Sequence, residues 1–209
     1  MNPAVIFGTS LSFRKPWRVR PKKKVFKPAK PLYNNSLLMQ PHEIFARMPS
    51  DIAADLFTFL FEKEKALYKA TVEALAKKRN LRPVFVERKP RAERYAWLQT
   101  HLGRPASSSI GAHLLQIWLV EGHSPLLCDF LDALGIEHDE NGTVNELPPA
   151  PSEEALRAAI DQLQAKGYDP RIVTLYLHSF QALDDEGGWN TLAHLLESDA
   201  RFHLEAPAA

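Results

Sequence analysis

Residues 50–79 read SDIAADLFTFLFEKEKALYKATVEALAKKR. Ile52, Leu56, Phe59, Leu60, Leu67, Thr71 and Leu75 recur at roughly helical spacing, which lines them along one face of an α-helix. Ser50 has the chemistry of an N-cap. Asp51 and Asp55 stand near the positive end of the helix dipole, and Lys77, Lys78 and Arg79 near its negative end. Unbroken, the element would be about 44 Å long. A break or bend is expected near Glu62 to Lys65.

The same helical grammar continues on both sides. PHEIFARM, before Pro49, makes one or two short turns. RPVFVERKP is expected to be extended, because a residue before proline is pushed out of the α region. Pro90 opens a helix that runs to Leu102, with Gly103 behind it, and Ser109 begins another that Gly122 stops. Ser124 caps a third, with Pro125 at its first position and Gly135 after its end. Ser152 starts a helix ending at Gly167; Asp169 and Pro170 repeat the cap-then-proline device; and Trp189 to Leu196 closes the set. Proline just inside the start and glycine just past the end, used several times, is the signature of an all-α protein.

The expected fold class is therefore all-α: a single multi-helix domain of about seven or eight helices over residues 39–203, with two similar helical lobes as a variant. That variant comes from an internal echo, LLQIWL (Leu114 to Leu119) against IVTLYL (Ile172 to Leu177), each preceded by a helix ending in glycine. A repeated three-helix unit would explain it, and so would any two buried helices. Residues 204–209 are expected to be a disordered C-terminus. Residues 1–38 carry nine Lys or Arg, five prolines and no acidic residue, a composition that cannot hold a helix and reads as a disordered basic tail. Met39 follows this tail and is an alternative translation start.

The chain has 209 residues, enough for a real core, and its 45% hydrophobic and 24% charged residues are those of a globular protein. One cysteine, Cys128, excludes an internal disulfide framework and fits a reducing compartment. No apolar run is long enough to cross a bilayer. The N-terminal apolar piece precedes the basic piece, the reverse of a secretory signal. The expected location is cytoplasmic, with no membrane partner.

The net charge of +1 conceals a segregation. Residues 1–104 hold 22 Lys and Arg against 8 Asp and Glu, a surplus of 14 positive charges; residues 105–209 hold 4 against 17, a surplus of 13 negative charges. Such a layout speaks of association rather than of fold. Either the halves neutralise each other within one molecule, or each faces something outside.

Chemical motifs are sparse. EHDENGTVNELP, from Glu137 to Pro148, alternates acidic and amide residues around Gly142 like a calcium-binding EF-hand loop. Its twelfth position, however, is Pro148 instead of the glutamate that grips the ion, and PPAP forbids the second helix. Asn141-Gly142 is a tight-turn pair, so a turn or small hairpin is expected, without calcium. The histidines His101, His113 and His123 form no HxxxH or HExxH pair, and His178 and His194 read as polar edges of the core. Cys128 reads as a buried inert thiol, since nothing basic lies near it in sequence. His123-Ser124 beside Asp129 contains the residue types of nucleophilic catalysis, but Ser124 is already a helix cap. Trp97, Trp118, Tyr176, Phe180 and Trp189 fall on apolar helix faces and read as core. Neither an enzyme nor a cofactor is expected, with an enzyme cleft between lobes as the least favoured alternative.

The strongest functional signal is basic. Lys77, Lys78, Arg79, Arg82, Arg88, Lys89, Arg91 and Arg94 lie in eighteen residues that also carry Phe85. Lys89 and Arg91 sit at a helix start, the wrong end for the dipole, so helix stability does not ask for them. The expected function is a non-enzymatic interaction module that binds a protein partner, or itself, through these eight residues. The alternative is non-specific contact with nucleic-acid phosphates through the same segment.

Overall fold

The computed structural model describes residues 39–144, 148–183 and 188–205. The basic tail 1–38 and the last four residues, 206–209, lie outside them, as do the expectations placed on those segments. Among the described residues the protein is all-helical and has no strand. Its α-helices are α1 (Pro41–Arg47), α2 (Ser50–Glu62), α3 (Lys65–Lys78), α4 (Pro83–Glu87), α5 (Arg91–Leu102), α6 (Ser108–Ile117), α7 (Ser124–Ala133), α8 (Glu153–Ala165), α9 (Pro170–Leu183) and α10 (Asn190–Ser198). Short 3-10 turns at Pro105–Ser107 and Ala200–Phe202, and a wider π turn at Trp118–Gly122, fill the joints.

Ten helices stand where seven or eight were expected, and part of the reason is local. The segment 50–79 breaks at Lys63 and Glu64, within the charged run EKEK that has no apolar side chain to bury. RPVFVERKP, expected to be extended, is extended at its two ends, Arg82 (φ −76°, ψ 132°) and Pro90 (φ −49°, ψ 148°), and winds into α4 between them. Pro83 occupies the first helical position, where its fixed φ suits a helix and its missing N–H is not needed. Val86, 1% exposed, anchors this one-turn helix to the core.

The capping expectations divide. Ser152 Oγ accepts from Ala155 N at 3.2 Å, and Asp169 Oδ1 accepts from Arg171 N at 2.8 Å, ahead of Pro170. Ser50 and Ser124 instead form the first residues of α2 and α7, with Pro49 and His123 as the caps, and neither cap makes a side-chain capping bond. Gly135 and Gly167 end α7 and α8 at positive φ, 68° and 89°, a conformation that side chains with a Cβ resist.

A single core joins both halves of the chain. Ile44, Phe45, Leu56, Phe57, Leu98, Leu102, Leu114, Trp118, Phe130, Leu156, Ile160, Leu175, Leu192 and Phe202 are all buried within it. Two separate lobes are thus not required: α1 packs on α5, α6 and α9, and α6 packs on α9, so the first and last thirds of the described chain share one interior. The echoing segments meet in that interior. The first leaves α geometry at Trp118, whereas the second stays α-helical throughout. Of the aromatics expected inside, Trp118, Tyr176 and Trp189 are buried, while Trp97 and Phe180 pack at its margin. Leu204, assigned above to the C-terminal end piece, packs against the core as well.

Candidate partner-binding surface

The basic segment wraps around α4. Lys77 and Lys78 form the last turn of α3, and Arg79 is its C-cap. Arg82 and Arg88 flank α4 at its two ends. Lys89 follows, and Arg91 and Arg94 belong to the first turns of α5. The sequence placed these eight cations together, and the fold keeps them on adjoining elements.

Their bonding corrects the premise that none of them has a local task. Arg91 donates to the Tyr95 hydroxyl (2.9 Å) and to Thr58 Oγ1 (3.1 Å), and stands 3.7 Å from Glu62. Its guanidinium also lies over the rings of Phe61 and Tyr95. Arg94 donates to the Glu87 carbonyl (3.0 Å) and covers Phe61 and Tyr68. Lys89 pairs loosely with Glu93 at 3.7 Å, and Lys78 Nζ donates to the Ala106 carbonyl. Arg91 and Arg94 therefore serve as rivets between α5 and the α2–α3 junction, through the rings of Phe61 and Tyr68 and, for Arg91, the Thr58 hydroxyl.

The other four differ. Lys77, Arg79, Arg82 and Arg88 are exposed, and among the described residues none has an ion pair. Among the described residues, no carboxylate of the second half pairs with any of the eight. The close ion pair that joins the halves runs the other way, from Arg171 to Asp51 at 2.8 Å.

Within this ring of charge the surface is apolar. Leu81 is 42%, Val84 38% and Phe85 56% exposed, and Phe61 nearby is 41% exposed. A helix of one turn has one inward face, and Val86 takes it, so its neighbours in VFV point elsewhere. Sequence reasoning noted Phe85 but not Leu81, Val84 or Phe61. The density of apolar residues in a segment too short to bury them all was the available signal.

The remaining chemical candidates do not assemble into a site. Asp139 Oδ1 accepts from the backbone N–H groups of Asn141 (2.9 Å) and Thr143 (2.8 Å), which holds its carboxyl below the usual range. Gly142 turns the chain at φ 75°, as the Asn-Gly pair predicts, and a Cβ there would meet Leu127 Cδ2 at 2.5 Å. The loop's central carboxylate thus closes its own turn; residues 145–147 lie outside the described segments. Asp129 is bound by Lys166 (2.7 Å) and the Tyr168 hydroxyl (2.6 Å), not by His123 or Ser124. Burial, with Asp132, Asp129 and Asp139 close by, pushes the half-buried Cys128 thiol up. His178 shares its Nε2 hydrogen with the Phe202 carbonyl (2.8 Å), while His194 is exposed beside Glu153. A cleft of about 430 Å³ between α1, α9 and α10 is lined by Glu43, Arg47, His178, Glu197 and His203, but His178 is tied to that carbonyl and Glu43 to the N-cap of α1. Among the described residues no group of three or more His, Cys, Asp or Glu is arranged to hold a metal ion, and no helix is long and apolar enough to cross a membrane.

No protein-family model, curated protein or solved structure matches this chain.

Proposed function

We propose that this protein is a non-enzymatic interaction module whose α3–α4–α5 surface docks an acidic protein surface. The observation that carries the reading is the exposed trio Leu81, Val84 and Phe85, flanked by Lys77, Arg79, Arg82 and Arg88, which have no ion pair among the described residues. The cations orient and accelerate encounter, and the apolar centre supplies affinity once water is expelled from it. An aromatic at the middle of such a patch is the residue type that dominates binding energy.

The second reading, association with nucleic acid, is favoured by Phe85 standing exposed between two arginines, the arrangement on which a base can stack. One titration separates them. The labelled probes are an amphipathic helical peptide, glutamate on one face and leucine on the other, and a single-stranded oligonucleotide, followed by anisotropy at about 0.05 and 0.5 M salt. The protein-partner reading expects the peptide to bind and Phe85→Ala to weaken it about tenfold. Binding of the oligonucleotide alone, falling steeply with salt, would transfer the surface to the second reading. Indifference of both probes to Phe85→Ala and to Arg82→Glu with Arg88→Glu would remove the surface from function altogether.

A further inference from the structure

The acidic half carries a concave feature opposite in sign to the basic surface. Between the end of α7 and the start of α8 lies a cleft of about 560 Å³, lined by Leu134, Ile136, Pro148, Pro149, Pro151 and Glu137. Its walls carry the side chains of Leu134, Ile136 and three prolines, and those prolines present no N–H that would need a partner. Exposed Glu137 lies on its wall. Exposed Glu154 opens α8 beside Ala155, which also lines the cleft. Among the described residues, no lysine or arginine lines it. The four cations of the acidic half, Arg157, Lys166, Arg171 and Arg201, are each held by other carboxylates.

We propose that the partner of the basic surface is a second copy of this chain: Phe85, with Leu81 and Val84, enters the α7–α8 cleft of the next molecule, and Arg82 and Arg88 face its Glu137 and Glu154. The inference rests on the docking role given to the basic surface above and names its occupant. Three observations select a second copy. The two surfaces are opposite in charge, both present apolar side chains, and the knob is not seated in its own cleft: α4 packs on α3, and Phe85 remains more than half exposed. The contact is heterologous, one knob in one cleft, so each bound pair still offers one of each. The assembly therefore grows into a ring or an open chain rather than stopping at two.

Sedimentation velocity of the full chain tests this. At about 0.05 M salt the mass should rise past the dimer with concentration, and at about 0.5 M it should return to monomer. The knob variant Arg82→Glu/Phe85→Asp and the cleft variant Glu137→Lys/Ala155→Trp should each be monomeric alone. Mixed in equal amounts they should form a pair that stops at two, because only one competent knob and one competent cleft remain. Circular dichroism checks each fold, and Glu137→Lys/Glu154→Lys, which changes only exposed residues, replaces the cleft variant if that variant unfolds. Wild type that stays monomeric at low salt, variants that still assemble, or a mixture that does not pair would each overturn the proposal. If a monomeric wild type still binds the acidic peptide through Phe85, the docking surface stands and only its occupant is wrong.

Discussion

Arg157 and Arg82 show how differently the two halves treat a cation. Arg157 lies between Glu153 (2.7 Å) and Asp199 (2.5 Å), while Arg82 is exposed and has no ion pair. The pattern holds across each region. Lys166 and Asp129, Arg171 and Asp169, and Arg201 and Asp199 are paired at 2.7 to 2.9 Å. In the basic segment, among the described residues, only Lys89 and Arg91 reach a carboxylate, both at 3.7 Å. Local stoichiometry explains the contrast. With 4 cations to 17 acids, every cation of the second half finds a partner close by. Where cations are in surplus, the excess turns to ring faces, to carbonyls, or to solvent. The Arg201 and Arg157 guanidiniums hold the Asp199 carboxyl well below the usual carboxylate range, with Arg201 the larger influence. Ion pairs at a protein surface contribute little to stability, so the segregation is not principally a device for stability.

The comparison can be broken most forcefully by truncating one phenylalanine from each region. Phe130 is fully buried, and Phe130→Ala should cost about 3 to 5 kcal/mol in urea unfolding. Phe85→Ala should change stability by no more than about 0.5 kcal/mol, as an exposed site does. Equal losses would mean that α4 is a structural element and not a docking surface.

Next in size is the turn that closes one side of the acidic half. Gly142→Ala forces a Cβ into the left-handed region against Leu127 and should destabilise the protein by about 1 to 3 kcal/mol. A neutral result would show that the 137–144 turn relaxes freely. Smaller again is the effect on binding: Phe85→Ala should weaken the acidic peptide about tenfold, with the urea midpoint unchanged.

The smallest effect is on pH. Burial pushes His123 and His178 below the ordinary histidine value near 6.5, and nearby Asp55 for His123 and the Phe202 carbonyl for His178 oppose the shift only partly. Arg47 and His203 push His178 further down. The unfolded chain therefore takes up these protons first. Stability is complete above about pH 6.5 and declines as pH falls toward the lowered folded-state values. Thermal melts from about pH 7.5 to 5 should record the decline, and His123→Gln should flatten part of it. A melting temperature constant over that range would show that these rings are not sealed from water. Carboxylates depressed by arginine, Asp199 and Asp169 among them, add a further loss only below about pH 4.

Much of the fold was legible because its signals are local. The break at 63–64, the caps at Ser152 and Asp169, and the glycine stops at 135 and 167 each depend on neighbours within a few residues. The two serine caps shifted by one position, a usual uncertainty where proline or histidine competes for the boundary. The α4 helix was missed because pre-proline geometry restrains only Arg82 and Lys89, leaving the four residues after Pro83 free to wind. The candidate site was half legible. The eight cations and Phe85 stood in the sequence, but the partners of Arg91 at Thr58 and Glu62, the exposure of Leu81 and Val84, and the apolar cleft between α7 and α8 did not.

The sequence by itself determined that this protein is helical, where most of its helices end, and that its charges are sorted by half, because propensity, capping and composition act over short spans of chain. Tertiary packing alone decided which cations are occupied, which apolar residues stay outside the core, and where a cleft opens, because each of those depends on what distant segments bring within a few ångströms.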